Sequence, residues 1–209
     1  MGRQRRPASV SFPASAVRPA GVDRSPPVAF VATYLLTASV HLSAPLARVF
    51  PFFADAENLE SITPPWLRFR ILTPLPIAMA EGALIDYRLR LHGIPFGWRT
   101  EIAVWQPPER FVDRQLAGPY LSWVHEHVFV PTPAGTLVTD RVRYRPRGGQ
   151  LAQALFVGRD VRRIFAFRQA ALLARFGGSA GELRLERWRE SAMAGAAGVG
   201  GAGYGSGSP

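Results

Sequence analysis

Cysteine is absent from the 209 residues, so no disulfide framework, thiol nucleophile or thiolate metal site can be built. Lysine is absent too: all 25 basic residues are arginine, which excludes Schiff-base catalysis and pyridoxal phosphate attachment. No apolar run reaches the ~20 residues that a membrane-spanning helix requires. The nearest, Val28 to Val40, is short and carries Thr and Ser spaced as in a strand. Neither a G-x-G-x-x-G following a strand nor, within residues 30–177, a G-x-S-x-G elbow occurs, which argues against dinucleotide binding and a serine hydrolase.

Acid is the scarce charge, with 15 residues against 25 basic ones and a formal net charge of +10. Residues 1–29 hold five Arg against Asp23, and residues 30–177 hold seventeen Arg against eleven acids. The densest run is Arg141-Val-Arg143-Tyr-Arg145-Pro-Arg147. Its alternation suits a strand with one solvated arginine face; with no helix-turn-helix, RNP or zinc pattern beside it, nucleic acid is not the expected partner. Transient contact of Arg141, Arg143, Arg145 and Arg147 with an anionic membrane stays open. The expected setting is cytoplasmic.

The chain divides into three parts. Residues 1–29, rich in Pro, Ser, Ala and Arg, read as a disordered extension. Arg5-Arg6 invites a twin-arginine reading, but the apolar run begins more than twenty residues later. An upstream start codon or plain disorder fits better, with an organellar transit peptide left open. Residues 178–209 pass from a charged stretch into a Gly/Ala/Ser sequence and read as a flexible tail. Residues 30–177 then form one domain, large enough to bury roughly 70% of its unfolded surface.

Within it, a strand-like run from Phe30 to Leu42 leads into Ser43-Ala44-Pro45, a helix-start signal. Two short helices follow, broken near Asp55 and stopped at Pro64-Pro65, with Pro51 marking a kink. Six period-two segments come next: Leu67–Thr73, Leu84–His92, Phe96–Trp105, Phe111–Ala117, Leu121–Val130 and Thr136–Arg145. Residues Gly149 to Phe176 carry Leu151, Leu155, Val161, Phe165, Leu172 and Phe176 near helical spacing, predicting one amphipathic helix of about seven turns. The fold class is α+β: a curved antiparallel sheet of about seven strands wrapped around a long C-terminal helix, with two short helices after the first strand.

This order, with the spellings SAPLARVFPFFADAENLESITPPW, EGALIDYRLRLHGIPFGWRTEI, FVDRQLAGPYLSWVHEHVFV, GTLVTDRVRY and RRIFAFR, resembles the SRPBCC superfamily, also described as START-like or polyketide cyclase/dehydrase-like. The resemblance covers roughly residues 34–177. It implies a helix-grip fold with an internal cavity for a hydrophobic or amphipathic small molecule of lipid, polyketide or isoprenoid class. No cofactor is expected.

Side-chain alternation predicts what lines such a cavity. His125 and His127 share a face with Trp123 and Phe129, opposite Glu126. Of two registers with the following strand, one sets Glu126 near Arg141 and sends Asp140 and Tyr144 to the histidine side. The other opposes Glu126 and Asp140, two like charges, and is disfavoured. The preferred register gathers His125, His127 and Asp140 inside. As a zinc set this trio is thin, and no metal is assigned. An Asp–His pair can serve as general base, or orient a ligand's polar group, or form a self-satisfied polar cluster. Tyr87, Leu89 and Leu91 face inward by the same parity, as do Trp98, Thr100 and Ile102. In FVDRQ either Phe111, Asp113 and Gln115 or Val112 and Arg114 could face inward; the FVDRQ-x-x-GPY spelling of the resemblance favours the first, adding Asp113 and Gln115. Phe165 and Leu172 are placed on the cavity floor, with Ile164 and Arg168 near its edge. The leading reading is a carrier or sensor; the alternative is a cyclase or dehydratase with His125, His127 and Asp140 as catalytic candidates.

Overall fold

The computed structural model describes residues 32–188; the expectations for residues 1–29 and for the end of the chain past Trp188 lie outside the described residues. Strand β1 (Tyr34–Leu42) leads into helix α1 (Leu46–Ala54) and two 3₁₀ turns, Ala56–Ile62 and Pro65–Leu67. Strands β2 (Arg70–Ile71), β3 (Leu84–Leu91), β4 (Ile94–Gln106), β5 (Arg110–Ala117), β6 (Tyr120–Thr132) and β7 (Gly135–Pro146) follow. The chain then enters α2 (Gly149–Ala152), a π turn (Gln153–Val157), α3 (Gly158–Phe176) and a last strand, β8 (Gly178–Arg187). All eight strands form one antiparallel sheet in the order β2-β3-β4-β5-β6-β7-β1-β8. This is the helix-grip architecture.

Most elements follow from local chemistry. Asp55 ends α1 and caps the next turn, its Oδ1 accepting from the Glu57 N–H at 2.9 Å. Pro51 does not break α1. It and Ala47, whose carbonyl loses its usual partner, both lie on the exposed side of the helix, so the carbonyl is not left in the core. The predicted strand Leu67–Thr73 shrinks to two residues, because Pro65–Leu67 completes a turn and Arg68 adopts a positive φ of 44°.

Two expectations are corrected, and one motif outside the expected domain is placed. First, residues 178–187 are strand β8, not part of a flexible tail: Leu183 and Leu185 alternate with charged residues and pack on the core beside β1. An unpaired β1 edge would expose a row of backbone donors and acceptors, and β8 covers it. Gly178 makes the reversal after α3 feasible, having φ 113° and standing where a Cβ would collide with the His41 carbonyl. Second, Gly177 to Gly181 spell G-x-S-x-G, and Ser179 sits on the exposed side of a helix-to-strand turn. That is the reverse of the strand-to-helix elbow that presents a nucleophile. Third, the predicted apolar stripe of the long helix is not continuous. Val161, Phe165 and Leu172 are buried, whereas Leu151 and Leu155 are exposed. The intervening π turn inserts an extra residue and rotates the helix face, so that Gln153 points inward and hydrogen-bonds Tyr144.

The concave face of the sheet and α3 enclose the core in two main clusters. One lies around Phe50, Phe53, Phe129 and Leu172, the other around Leu36, Trp98, Tyr144 and Phe165. On the convex face the charges pair across strands: Arg99 with Asp86, Arg114 with Glu101, and Glu126 with both Arg110 and Arg141. Exposed pairs contribute little to stability, but their arrangement turns these particular charges away from the concave side.

If β8 is part of the domain, ending the chain after Gly177 removes the half-buried Leu183 and Leu185. At about 1 kcal/mol each, this is expected to lower Tm by about 4–8 °C relative to a chain ending after Trp188. Equal melting temperatures by circular dichroism would show that the strand contributes nothing.

Candidate functional site

Strands β5, β6 and β7 lie side by side, and their register sets Asp113 opposite His125 and His127 opposite Asp140. Glu126 stands opposite Arg141 on the other face. Alternation therefore delivers two carboxylates and two imidazoles to one patch of the concave face. His125 and His127 are 6% and 3% exposed, their rings tilted by 36° with centroids 3.8 Å apart. Phe111 stacks on His127 at 4.1 Å, and Phe165 of α3 meets His125 edge-on.

Each imidazole bridges the two aspartates. His127 Nε2 donates to Asp113 Oδ2 at 3.0 Å, and His125 Nε2 to Asp140 Oδ1 at 3.1 Å. The remaining ring nitrogens complete the pattern: His125 Nδ1 lies 3.5 Å from Asp113 Oδ2, and His127 Nδ1 lies 2.8 Å from Asp140 Oδ1. From α3, Arg168 brings Nε to 3.2 Å from Asp140 Oδ2. Neither that Nε nor His127 Nδ1 is aligned as a hydrogen-bond donor. These two contacts are charge contacts between buried atoms.

Electrostatics divides the two histidines. Burial lowers the pKa of His125, and the adjacent His127 lowers it further. Burial also disfavours charge on His127, but the Asp140 carboxylate and the bond to Asp113 outweigh it, so its pKa is raised. Burial alone would raise the pKa of Asp140. Arg168, His127 and the two histidine contacts overcome this and hold its carboxyl well below the usual range. Burial pushes Tyr144 up to about 12, so it remains a neutral hydroxyl bonded to Gln153.

Beside this cluster is a cavity of about 190 Å³, partly open to solvent. Of the residues read from the sequence as its lining, Tyr87, Leu89, Trp98, Thr100, Asp113, Trp123, His125, His127 and Phe165 border it. Five do not. Gln115 folds back to donate to the Tyr120 carbonyl at 2.9 Å, a local loop contact that satisfies its amide. Phe129 and Leu172 are packed into the aromatic core near Phe53. Tyr144 is sealed behind Trp123 and Tyr120. Asp140 stands behind the histidines, supporting them rather than meeting the cavity. Tyr87 and Trp98 stack at 5.7 Å and share Thr100, whose Oγ1 lies 3.1 Å from the Tyr87 hydroxyl and accepts from Trp98 Nε1 at 3.0 Å. Burial, then the nearby Asp113 charge, raises the Tyr87 pKa well above its ordinary value.

The sequence reading left out a second wall: Phe52, Phe53, Leu59 and Ile62 from α1 and the following turn, Phe69 after it, and Ile85 of β3. Arg168, placed there at the cavity edge, lines the cavity and is also the counter-charge of Asp140. Its only sequence signal is a lone arginine on the buried stripe of the helix, three residues after Phe165. Removing one partner of a buried ion pair leaves the other uncompensated. Arg168→Met is therefore expected to destabilise the fold by about 3–5 kcal/mol in urea denaturation. A change below about 1 kcal/mol would mean that Asp140 is already balanced by the histidines.

Comparison with known proteins agrees with this architecture. The family model described as polyketide cyclase/dehydrase and lipid transport matches residues 42–172. No curated protein sequence matches the chain. Among solved structures, a Chromobacterium violaceum protein superposes with a TM-score of 0.56 at 14% identity, covering 69% of this chain and 99% of its own. A major latex-like protein from Panax ginseng gives 0.53 at 12% identity, over 69% and 97%. A Streptomyces aromatase/cyclase gives 0.51 at 17% identity, over 68% and 93%. At these identities the superpositions speak for the fold, while the family match spans more than half of the sequence. The chain thus belongs to the polyketide cyclase/dehydrase and lipid transport family of the SRPBCC superfamily.

Proposed function

We propose that the domain binds a compact hydrophobic or amphipathic molecule, of polyketide, isoprenoid or small-lipid class, as a carrier or sensor. The observation that carries this reading is the cavity itself: walls of aromatic and aliphatic side chains, interrupted by the Asp113–His125–His127 cluster. Burial of the ligand's apolar surface supplies affinity, and the cluster orients a hydroxyl or carbonyl group. The volume of about 190 Å³ lies below the roughly 300–1,000 Å³ usual for drug-sized ligands. A one- or two-ring molecule or a short chain suits it better than a two-chain lipid. A cytoplasmic setting remains part of the proposal; among the described residues no helix is long and apolar enough to cross a membrane.

Native mass spectrometry of the purified protein, followed by identification of any extracted small molecule, tests the reading directly. Displacement of an environment-sensitive dye then ranks compounds. Leu89→Trp fills the cavity from β3 and is expected to weaken binding at least about tenfold, or 1.4 kcal/mol, with Tm maintained. Unchanged dye binding in this variant would place the ligand elsewhere. Return of the bound compound chemically altered would replace the carrier reading with the cyclase or dehydratase one.

The proposal includes transient docking on anionic membranes through Arg141, Arg143, Arg145 and Arg147, all of which are exposed on or just after β7. Each arginine near such a surface contributes about 1 kcal/mol. Co-sedimentation with vesicles rich in phosphatidylserine is expected to fall steeply as salt rises. Salt-independent sedimentation, or none, would remove this element.

A further inference from the structure

The two aspartates hold different places relative to the histidines, and the difference is chemical. Asp113 lies on the cavity side, next to His125 Nδ1 and His127 Nε2. Asp140 lies on the opposite side, next to His125 Nε2 and His127 Nδ1, and is itself tied to Arg168. Each ring therefore presents one nitrogen inward, while Asp140, anchored by Arg168, accepts a hydrogen bond from the other nitrogen of His125 and lies 2.8 Å from that of His127 as a charge contact. That is the outer arrangement found around metal-bound imidazoles, where a carboxylate fixes ring orientation and raises ligand basicity.

We propose that Asp113, His125 and His127 form a site for a divalent first-row transition ion such as zinc or iron(II). The ligand atoms are Asp113 Oδ2, His125 Nδ1 and His127 Nε2, and Asp140 with Arg168 supports the site from behind. The donor atoms of this trio can all lie within 4.8 Å of one another. The separations of Oδ2 from the two inner nitrogens are 3.0 and 3.5 Å. Bonds of about 2.0–2.1 Å around one ion give ligand-to-ligand edges of about 3.0–3.4 Å, so both edges to Asp113 already lie close to this range. Two imidazoles and one carboxylate favour zinc or iron over magnesium or calcium, which prefer all-oxygen sites. Since all three residues border the cavity, the remaining coordination positions face the space where an organic ligand would sit. The ion would meet two carboxylates and one guanidinium, leaving one positive charge for an anionic oxygen of that ligand to balance. The inference goes beyond the binding reading and does not depend on it.

The experiment uses the full chain, freed of any affinity tag and stripped with a chelator, with metal alone as the probe and no organic ligand present. Zinc binding is measured by calorimetry, and cobalt(II) reports the ligand field through its visible absorption. The expected result is one equivalent bound, with Asp113→Asn and His127→Gln each weakening affinity at least about a hundredfold. Asp140→Asn should cost about 10–100-fold. Melting temperatures of the metal-free variants identify any that fail to fold. In that event paramagnetic shifts of the His125 and His127 ring protons on cobalt addition to the unaltered chain give the same answer. Absence of binding by zinc and cobalt, binding that both first variants retain within twofold, or unshifted histidine protons would each overturn the site. Dye displacement by organic compounds is measured on metal-free protein, so loss of the metal site leaves the cavity reading standing, and the reverse.

Discussion

A carboxylate withdrawn from water between a sheet and a helix must be balanced where it stands, and in this domain Asp140 imposes that condition. It is contributed by β7, approached by both histidines of β6 and paired with Arg168 of α3. Its neutralisation requires the strand register and the seating of the helix to be right at once. A slip of β6 by one residue would place Glu126 toward the interior, send the histidines to the convex face and leave Asp140 with Arg168 as its only partner. Apolar packing holds α3 against the sheet, while the buried ion cluster specifies how it is seated.

The same cluster gives the cavity its chemical polarity. Aromatic and aliphatic walls alone would accept many apolar molecules with little discrimination. A fixed group of two imidazoles and a carboxylate favours a ligand with a polar atom at one place, because buried polar groups left without a partner are costly. Asp113 faces this ligand space and Asp140 does not. The two carboxylates are alike in sequence but hold different roles, one turned to the cavity and the other supporting the rings from behind.

Strand alternation was legible because it is a local property. The inward side of HEH, the preference of Glu126 for Arg141 and the inward facing of Tyr87, Trp98 and Thr100 all follow from period two and cross-strand charge. Gln115 has the inward parity of its strand neighbours but lies near the end of β5, where the following turn offers a nearer partner. Leu151 and Leu155 deviated because a π turn alters helical phase, and little in the local sequence marks one. The strand at Gly178–Arg187 went unread because its alternation is short and charged, and its stability comes from β1, more than a hundred residues away.

What the sequence determined by itself is most of the elements, β8 and the π turn apart, and the inward face of the long strands, since both depend on neighbours two to four positions apart and on the family spellings. Only the tertiary structure decided which inward residues meet. That Asp113 rather than Asp140 borders the cavity, that Arg168 balances Asp140, and that Phe129, Tyr144 and Leu172 are packing residues depend on sheet curvature and on the rotation of α3. Those quantities are fixed by the packing of the entire core, and no single segment encodes them.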